Sequence, residues 1–140
     1  MRTNETKTRA GFTLAELMVV IVIIGLLATL VVPNVVRRLF AATRATAEAN
    51  IMTIAQALDS YAVENMGRYP DTLEALVTPD ENGHTFLNRE TVPTDPWGQP
   101  YVYEPPSGGR KLNVISYGKD TAPGGEGDDA DITYEALRNK

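Results

Sequence analysis

An apolar run from Phe12 to Val36 most constrains this chain, because it carries a single charge, Glu16. The twenty residues from Leu17 onward are uncharged. A helix of that length spans roughly 30 Å at about 1.5 Å per residue, which matches the hydrocarbon core of a bilayer. A charged side chain within a membrane helix costs about 3 kcal/mol on insertion scales. The run therefore predicts a membrane-spanning helix in which Glu16 needs a cationic partner.

Charged residues on either side of the run bear on its orientation. Residues 1–11 carry three basic side chains and one acidic one, a net charge of +2, which favours an N-in, C-out arrangement. Arg37 and Arg38 follow the run, and arginine can snorkel to the opposite interface. A cleaved secretory signal would have a shorter apolar core and a small-x-small cleavage site. We therefore predict a retained, single-pass anchor.

The remaining composition excludes several function classes. The 140 residues suffice for one modest domain, and the chain has no cysteine to form a disulfide or to act as a nucleophile. Residues 37–140 have a net charge of −6, whereas nucleic-acid binding needs a basic face. The one histidine, His84, lies in a polar loop beside Gly83, and no serine stands in a nucleophile-elbow pattern. We predict neither an enzyme nor a nucleic-acid-binding protein.

Helical patterning continues beyond the apolar run. Apolar side chains recur at three- and four-residue spacing at Ile51, Ile54, Leu58, Tyr61 and Ala62. This pattern predicts one long helix from about residue 12 to about residue 65, ended by Gly67 and Pro70. Pro33 lies within it, and either a kink or a helix that tolerates the proline is compatible with the sequence.

The segments after the helix predict a small α+β head. DTLEALV indicates a short second helix, with Asp71 as N-cap and Glu74 completing a capping box. A strand from Tyr101, the PPSGG turn and RKLNVISYG form a predicted antiparallel hairpin. DPWG is a turn in which Trp97 is predicted to anchor the core. A long Gly- and Asp-rich loop leads to a short terminal segment.

That loop concentrates negative charge. Five carboxylates fall within twelve residues, among glycines, at Asp120, Glu126, Asp128, Asp129 and Asp131. Crowded carboxylates repel one another unless they are solvated or bridged by a hard cation such as Ca²⁺, which takes six to eight oxygen ligands. The spacing is not that of an EF-hand. Composition alone leaves a calcium site and a solvated acidic loop equally open.

The stretch from Gly11 to Leu17, GFTLAEL, resembles the N-termini of type IV pilins. In that family a membrane-embedded peptidase cuts after the glycine and methylates the new amino terminus. The resemblance implies cleavage between Gly11 and Phe12, N-methylation of Phe12, and Glu16 at the fifth mature position. Ala15 departs mildly from the pattern, since a larger aliphatic residue is common there.

Three further stretches resemble the major pseudopilins of type II secretion systems: NMGRYPDTLEALV, TDPWGQPYVY and SYGKDTAPGGEGDDADI. The resemblance implies a long N-terminal helix packed on a small antiparallel sheet, a type IV pilin-like fold. It also implies a calcium ion in the acidic loop. The ligands carried over by position are the side chains of Asp120, Asp128 and Asp129, and a backbone carbonyl near Tyr117.

The same resemblance implies a role and a place for each region. Residues 1–11 would be a cleaved leader, 12–36 a transmembrane and assembly helix, and 37–140 a periplasmic head that includes the amphipathic part of the helix. The chain would be a structural subunit that polymerises into a pseudopilus, a fibre that drives protein export. The implied partners are a prepilin peptidase, minor pseudopilins, an inner-membrane platform protein and a secretion ATPase.

After cleavage, Glu16 could pair with the Phe12 amine of its own chain or, as the resemblance implies, with the Phe12 amine of a neighbouring subunit, which would set the register of assembly. The alternatives are a minor pseudopilin, a surface type IV pilin, or a membrane-tethered calcium-binding protein with no polymeric role.

Overall fold

The apolar run and the amphipathic stripe form one continuous helix, α1 (Leu14–Glu64), in a computed structural model that describes residues 11–139. The predicted bounds are confirmed to within two residues. Pro33 lies inside α1 without interrupting it. The leader prediction, apart from Gly11, lies outside the described residues.

Contacts divide the chain into two units, residues 1–39 and 40–140. In the first unit, the large apolar side chains of α1 are exposed along its length, from Leu14 to Leu39. Within the described part of the chain, α1 is the one helix long and apolar enough to cross a membrane. No side chain among residues 11–39 buries this apolar surface, so it needs lipid or other protein to cover it.

In the second unit, the amphipathic stripe of α1 forms the centre of the core. Ile51, Ile54 and Leu58 are fully buried, and Tyr61 packs edge-on against Phe86 with ring centroids 5.1 Å apart. Buried side chains from the rest of the unit complete the cluster, namely Leu73, Leu76, Leu87, Tyr101, Leu112, Val114 and Ile132. The predicted stripe is therefore confirmed.

A three-stranded antiparallel sheet contributes one side of this core. Its strands are β1 (Val102–Glu104), β2 (Asn113–Ser116) and β3 (Ile132–Thr133), in the spatial order β1-β2-β3. The β1–β2 pair is the predicted hairpin, and the α+β fold class is confirmed. Strand β3 was not predicted, because two residues are too few to show an alternating pattern.

A short terminal helix, α2 (Tyr134–Arg138), follows β3 directly. The Thr133 side chain is its N-cap and accepts a hydrogen bond from the Ala136 amide at 3.2 Å. Side-chain capping of this kind satisfies one of the amides that a helix start leaves unpaired. The predicted short terminal segment is thus a capped helix.

The predicted capping box at Asp71 and Glu74 is wrong. The segment forms a four-residue 3₁₀ helix (Leu73–Leu76), its N-cap is Thr72, and no side-chain hydrogen bond caps it. Leu73 and Leu76 are both buried, and residues three apart are eclipsed in 3₁₀ geometry. The turn therefore presents both leucines to the core.

Candidate functional site

The start of α1 is held by a reciprocal pair of hydrogen bonds between Thr13 and Glu16. The Thr13 amide donates to Glu16 Oε2 at 2.9 Å, and the Glu16 amide donates to Thr13 Oγ1 at 3.2 Å. The Thr13 carbonyl accepts the first helical bond, from the Leu17 amide at 3.2 Å. This arrangement is a capping box, in which two otherwise unpaired amides are satisfied by two side chains.

Glu16 is therefore satisfied by a backbone amide of its own chain, a partner that was not predicted. The signal was present as T-x-x-E immediately before an apolar run. The charge of Glu16 predicted a cationic partner, whereas a carboxylate can also be satisfied by a backbone amide.

The residues at the predicted cleavage point lie just before this cap. Gly11 and Phe12 are outside the helix, and Phe12 is 87% exposed. A Cβ atom built on Gly11 would meet no heavy atom within 4 Å. The fold of this chain therefore does not require glycine at position 11.

Residues 117–131, the acidic loop, connect β2 to β3. A 3₁₀ turn (Gly127–Asp129) lies within it. Two hydrogen bonds close the loop: the Asp131 amide donates to the Gly124 carbonyl at 3.2 Å, and the Gly124 amide donates to Asp131 Oδ2 at 3.0 Å. The glycines and carboxylates thus form an ordered turn.

The predicted calcium ligands are distributed along this loop. Asp120 and Asp128 are exposed, whereas Asp129 and Tyr117 are half-buried. Asp120 Oδ1 accepts a hydrogen bond from the Ala122 amide at 3.2 Å. Among residues 11–139, no three acidic or histidine side chains stand close enough together to share one metal ion. The calcium site stays a prediction.

Two other features of the loop fit a cation. Gly118 is buried. A Cβ atom built on it would lie 3.2–3.3 Å from the carbonyl oxygens of Asp128, Asp129 and Ala130. These three oxygens therefore converge on one backbone position. Asp131 Oδ1 is buried and has no hydrogen-bond partner within the described residues. Carbonyl and carboxylate oxygens are the donors that Ca²⁺ prefers, so the donor chemistry fits the ion.

A buried carboxylate, Asp95, supports the start of the acidic loop. Its Oδ1 accepts hydrogen bonds from the amides of Trp97 at 3.1 Å and Gln99 at 2.8 Å. Its Oδ2 accepts a hydrogen bond from the Ser116 hydroxyl at 2.7 Å, and Ser116 Oγ in turn accepts one from the Gly118 amide at 3.3 Å. The DPWG turn is thereby connected through the end of β2 to the acidic loop.

Asp95 is the buried residue of the DPWG turn, at 4% exposure, while Trp97 is half-buried and packs against the core. The anchoring role had been predicted for the tryptophan because of its large apolar area. His84, which was not expected to be functional, is exposed in its loop.

Comparison with known proteins identifies the family to which the chain belongs. Residues 34–135 match the family model of type II secretion system protein G, and residues 6–32 match the prokaryotic N-terminal methylation motif. The type II secretion system core protein G of Pseudomonas aeruginosa is 41% identical, over 91% of this chain and 96% of its own length. The chain belongs to the type II secretion system protein G family.

Other members of the protein G family agree with this assignment. The Vibrio cholerae protein is 41% identical, over 92% of this chain and 93% of its own length. The crystal structure of the major pseudopilin of enterohaemorrhagic Escherichia coli matches with a TM-score of 0.58 and 29% identity, covering 76% of this chain and 98% of that one. The chain is thus a structural major pseudopilin with a type IV pilin-like fold, and not an enzyme, as the resemblance predicted.

The Asp95 network generates a stability prediction. We expect Asp95→Ala to lower the free energy of unfolding by roughly 2–4 kcal/mol, because the buried Ser116 hydroxyl and the turn amides lose their acceptor. Urea unfolding of the full chain in detergent, followed by fluorescence of the single tryptophan, measures this change. Asp71→Ala removes an exposed carboxylate and is the control. Equal stability of the two variants would contradict the role of Asp95.

Proposed function

We propose that this pseudopilin is made as a precursor that is cut between Gly11 and Phe12 and methylated on Phe12. The processed subunits would polymerise into a periplasmic pseudopilus that drives protein export through the outer membrane. The observation that carries the proposal is the match of residues 6–32 to the N-terminal methylation motif, next to a chain that belongs to the protein G family. Prepilin peptidase would process the chain, and minor pseudopilins, the platform protein and the secretion ATPase would act with it in assembly.

The surroundings of Gly11 support processing at this point. A larger side chain at position 11 would meet open space, so a need for glycine has to come from a molecule that binds this segment. A peptidase that holds the chain in a narrow site is such a molecule. The exposed Phe12 side chain leaves the bond on its amino side accessible to it.

The apolar surface of α1 supports membrane storage followed by polymerisation. Its side chains from Leu14 to Leu39 are exposed in the single chain, so the segment is stable either in lipid or against copies of itself. The basic leader favours a cytoplasmic N-terminus, which would place the head in the periplasm of a single-pass inner-membrane protein.

Glu16 supports a specific register of assembly. Cleavage would create an ammonium on Phe12, and a carboxylate in an apolar environment is strongly stabilised by such a partner. The Thr13 cap occupies Glu16 Oε2, which leaves a second carboxylate oxygen to bind the Phe12 amine of a neighbouring subunit. Each chain would then offer one carboxylate and one ammonium to its neighbours.

We also propose that the acidic loop binds one structural Ca²⁺. Asp120, Asp128 and Asp129 would supply side-chain oxygens, and Tyr117 a backbone carbonyl. The converging carbonyls at Gly118 and the unpaired Asp131 Oδ1 support an oxygen-binding cation in this loop. When bound, the ion would neutralise the repulsion among the crowded carboxylates. It would stabilise the folded head by binding to it alone.

Cleavage is tested with Gly11→Leu, which is expected to leave an uncut precursor, because the bulky side chain would not fit a peptidase site that selects glycine. Mass spectrometry of the purified chain distinguishes the precursor from the cut, methylated product. Gly25→Ala changes another glycine with open surroundings, beyond the cut, and is expected to be processed normally. Normal cutting of Gly11→Leu would refute the assignment.

Assembly is tested by separating the charge of Glu16 from its capping role. Glu16→Gln keeps a capping-box side chain but removes the charge, because glutamine also serves at this position. We expect it to be cleaved normally and to form few fibres, as counted by electron microscopy. Thr13→Ala removes the cap, at a cost of about 0.5–2 kcal/mol to the helix, but keeps the charge. It should form more fibres than Glu16→Gln, and the reverse order would mean that the cap and not the charge is required.

Calcium binding is tested by chelation of the full chain in detergent. At a calcium concentration of 100 times Kd, the ion would add about 2.7 kcal/mol of stability, so excess EGTA should lower Tm measurably. Asp128→Ala should abolish this response, since the exposed Asp128 side chain is a proposed ligand. Asp71→Ala, outside the loop, should retain it. A response of Asp128→Ala equal to that of the unaltered chain would exclude Asp128 as a ligand.

A further inference from the structure

One arginine of α1 contacts the acidic loop directly. Arg44 Nη1 donates hydrogen bonds to the carbonyl oxygens of Gly127 and Ala130, both at 3.2 Å. The two carbonyls belong to residues 83 and 86 positions after Arg44 in the sequence. We propose that Arg44 is a positioning residue that fastens the acidic loop to α1 and couples the order of the loop to that part of the helix.

The charged guanidinium group of Arg44 holds two backbone carbonyls of the loop. One nitrogen with two hydrogens joins two carbonyls, one at the first residue of the 3₁₀ turn and the other just after its last residue. Hydrogen bonds from an ionised donor are roughly twice as strong as neutral ones. Both ends of the turn are therefore held at one point on the helix.

A neighbouring carboxylate orients the arginine. Glu48 Oε1 lies 3.5 Å from Arg44 Nε, one helical turn along, and both side chains are about one-third exposed. Such a pair contributes little stability by itself at this exposure. It fixes the direction of the guanidinium, so that Nη1 is presented to the loop.

A second cation contact joins the same two elements. Lys119, in the loop, places its Nζ 4.9 Å from the centroid of the Phe40 ring on α1, within the range of a cation–π interaction. Phe40, Arg44 and Glu48 are four residues apart in turn, so they share one face of the helix. The loop is thus docked at two points on that face, once through its backbone and once through a side chain.

Docking of this kind affects how the loop would bind a cation. The Ala130 carbonyl is held by Arg44 and is also one of the oxygens that converge on Gly118. If the loop opens when Arg44 is lost, the observed affinity falls in proportion to the closed fraction. This consequence rests on the calcium binding proposed above, whereas the fastening of the loop does not.

The experiment compares Arg44→Gln with Arg110→Gln in the full chain in detergent. Arg110 is exposed at the tip of the β1–β2 hairpin, so its variant makes the same charge change away from the loop. In EGTA, hydrogen exchange of the amides of Asp129, Ala130 and Asp131 should be about tenfold faster in Arg44→Gln than in the unaltered chain, as the loop opens locally. Arg110→Gln should not change it. Exchange of the amide of Val114, a fully buried residue of β2, serves as a check that the head is folded.

Calcium titration supplies the second readout. Arg44→Gln should raise the Kd for calcium about tenfold if the closed fraction falls tenfold. Arg44→Lys keeps the charge without the guanidinium geometry, so its Kd should lie between those of the unaltered chain and Arg44→Gln. Unchanged exchange in Arg44→Gln would overturn the proposal. Tighter calcium binding by this variant would overturn the coupling, because it would mean that the guanidinium repels the ion. Faster exchange in Arg44→Gln, together with no calcium binding by the unaltered chain, would support the fastening and refute the calcium site.

Discussion

The burial of one face of α1 is the interaction on which the head depends. Ile51, Ile54 and Leu58 are fully buried against side chains that come from the 3₁₀ helix Leu73–Leu76, from the sheet and from the segments around them. Those elements are short: the sheet strands have two to four residues, and the 3₁₀ helix has four. Strands and turns of this length have little stability of their own. Their apolar side chains become stable by packing on a helix that is already regular.

The same helix changes character along its length, and this change separates its two roles. Before residue 40 its apolar side chains point in all directions and are exposed, whereas beyond it buried apolar side chains form a stripe on one face. A helix that is apolar all round requires an apolar environment, and one with a stripe requires a partner on one side. One continuous element can therefore serve membrane anchoring or polymer packing in one part and organise a folded head in the other.

Polar contacts hold the parts of the chain that the apolar core does not hold, namely the acidic loop and the start of α1. The acidic loop has few apolar side chains to bury, and its shape is held by Asp95 through Ser116 at one end and by Arg44 at the other. Both arrangements give hydrogen bonds to backbone groups of the loop. At the N-terminus, Glu16 is used in the same way, since its carboxylate caps the helix through the Thr13 amide. A charge that is costly in lipid thus stabilises the helix start in the single chain.

The sequence by itself determined the features that depend on local pattern. The long helix, the buried stripe and the β1–β2 hairpin follow from periodicity and turn residues that lie close together in the chain. The N-terminal methylation motif is likewise a contiguous stretch of sequence, and residues 6–32 match its family model. The capping-box pattern at Thr13 was equally recognisable in the sequence. The capping box predicted at Asp71 is wrong because only a four-residue 3₁₀ helix follows it, and the motif needs a helix of sufficient length.

Only the tertiary structure decided the rest. Strand β3 is too short to have a pattern, and it exists because β2 offers it backbone partners. The 3₁₀ helix Leu73–Leu76 buries its two leucines in a core that other segments build. The roles of Asp95 and Arg44 depend on carbonyls and hydroxyls tens of residues away. A sequence pattern records which side chains are present nearby, whereas a distant backbone group becomes a partner only after the chain has folded.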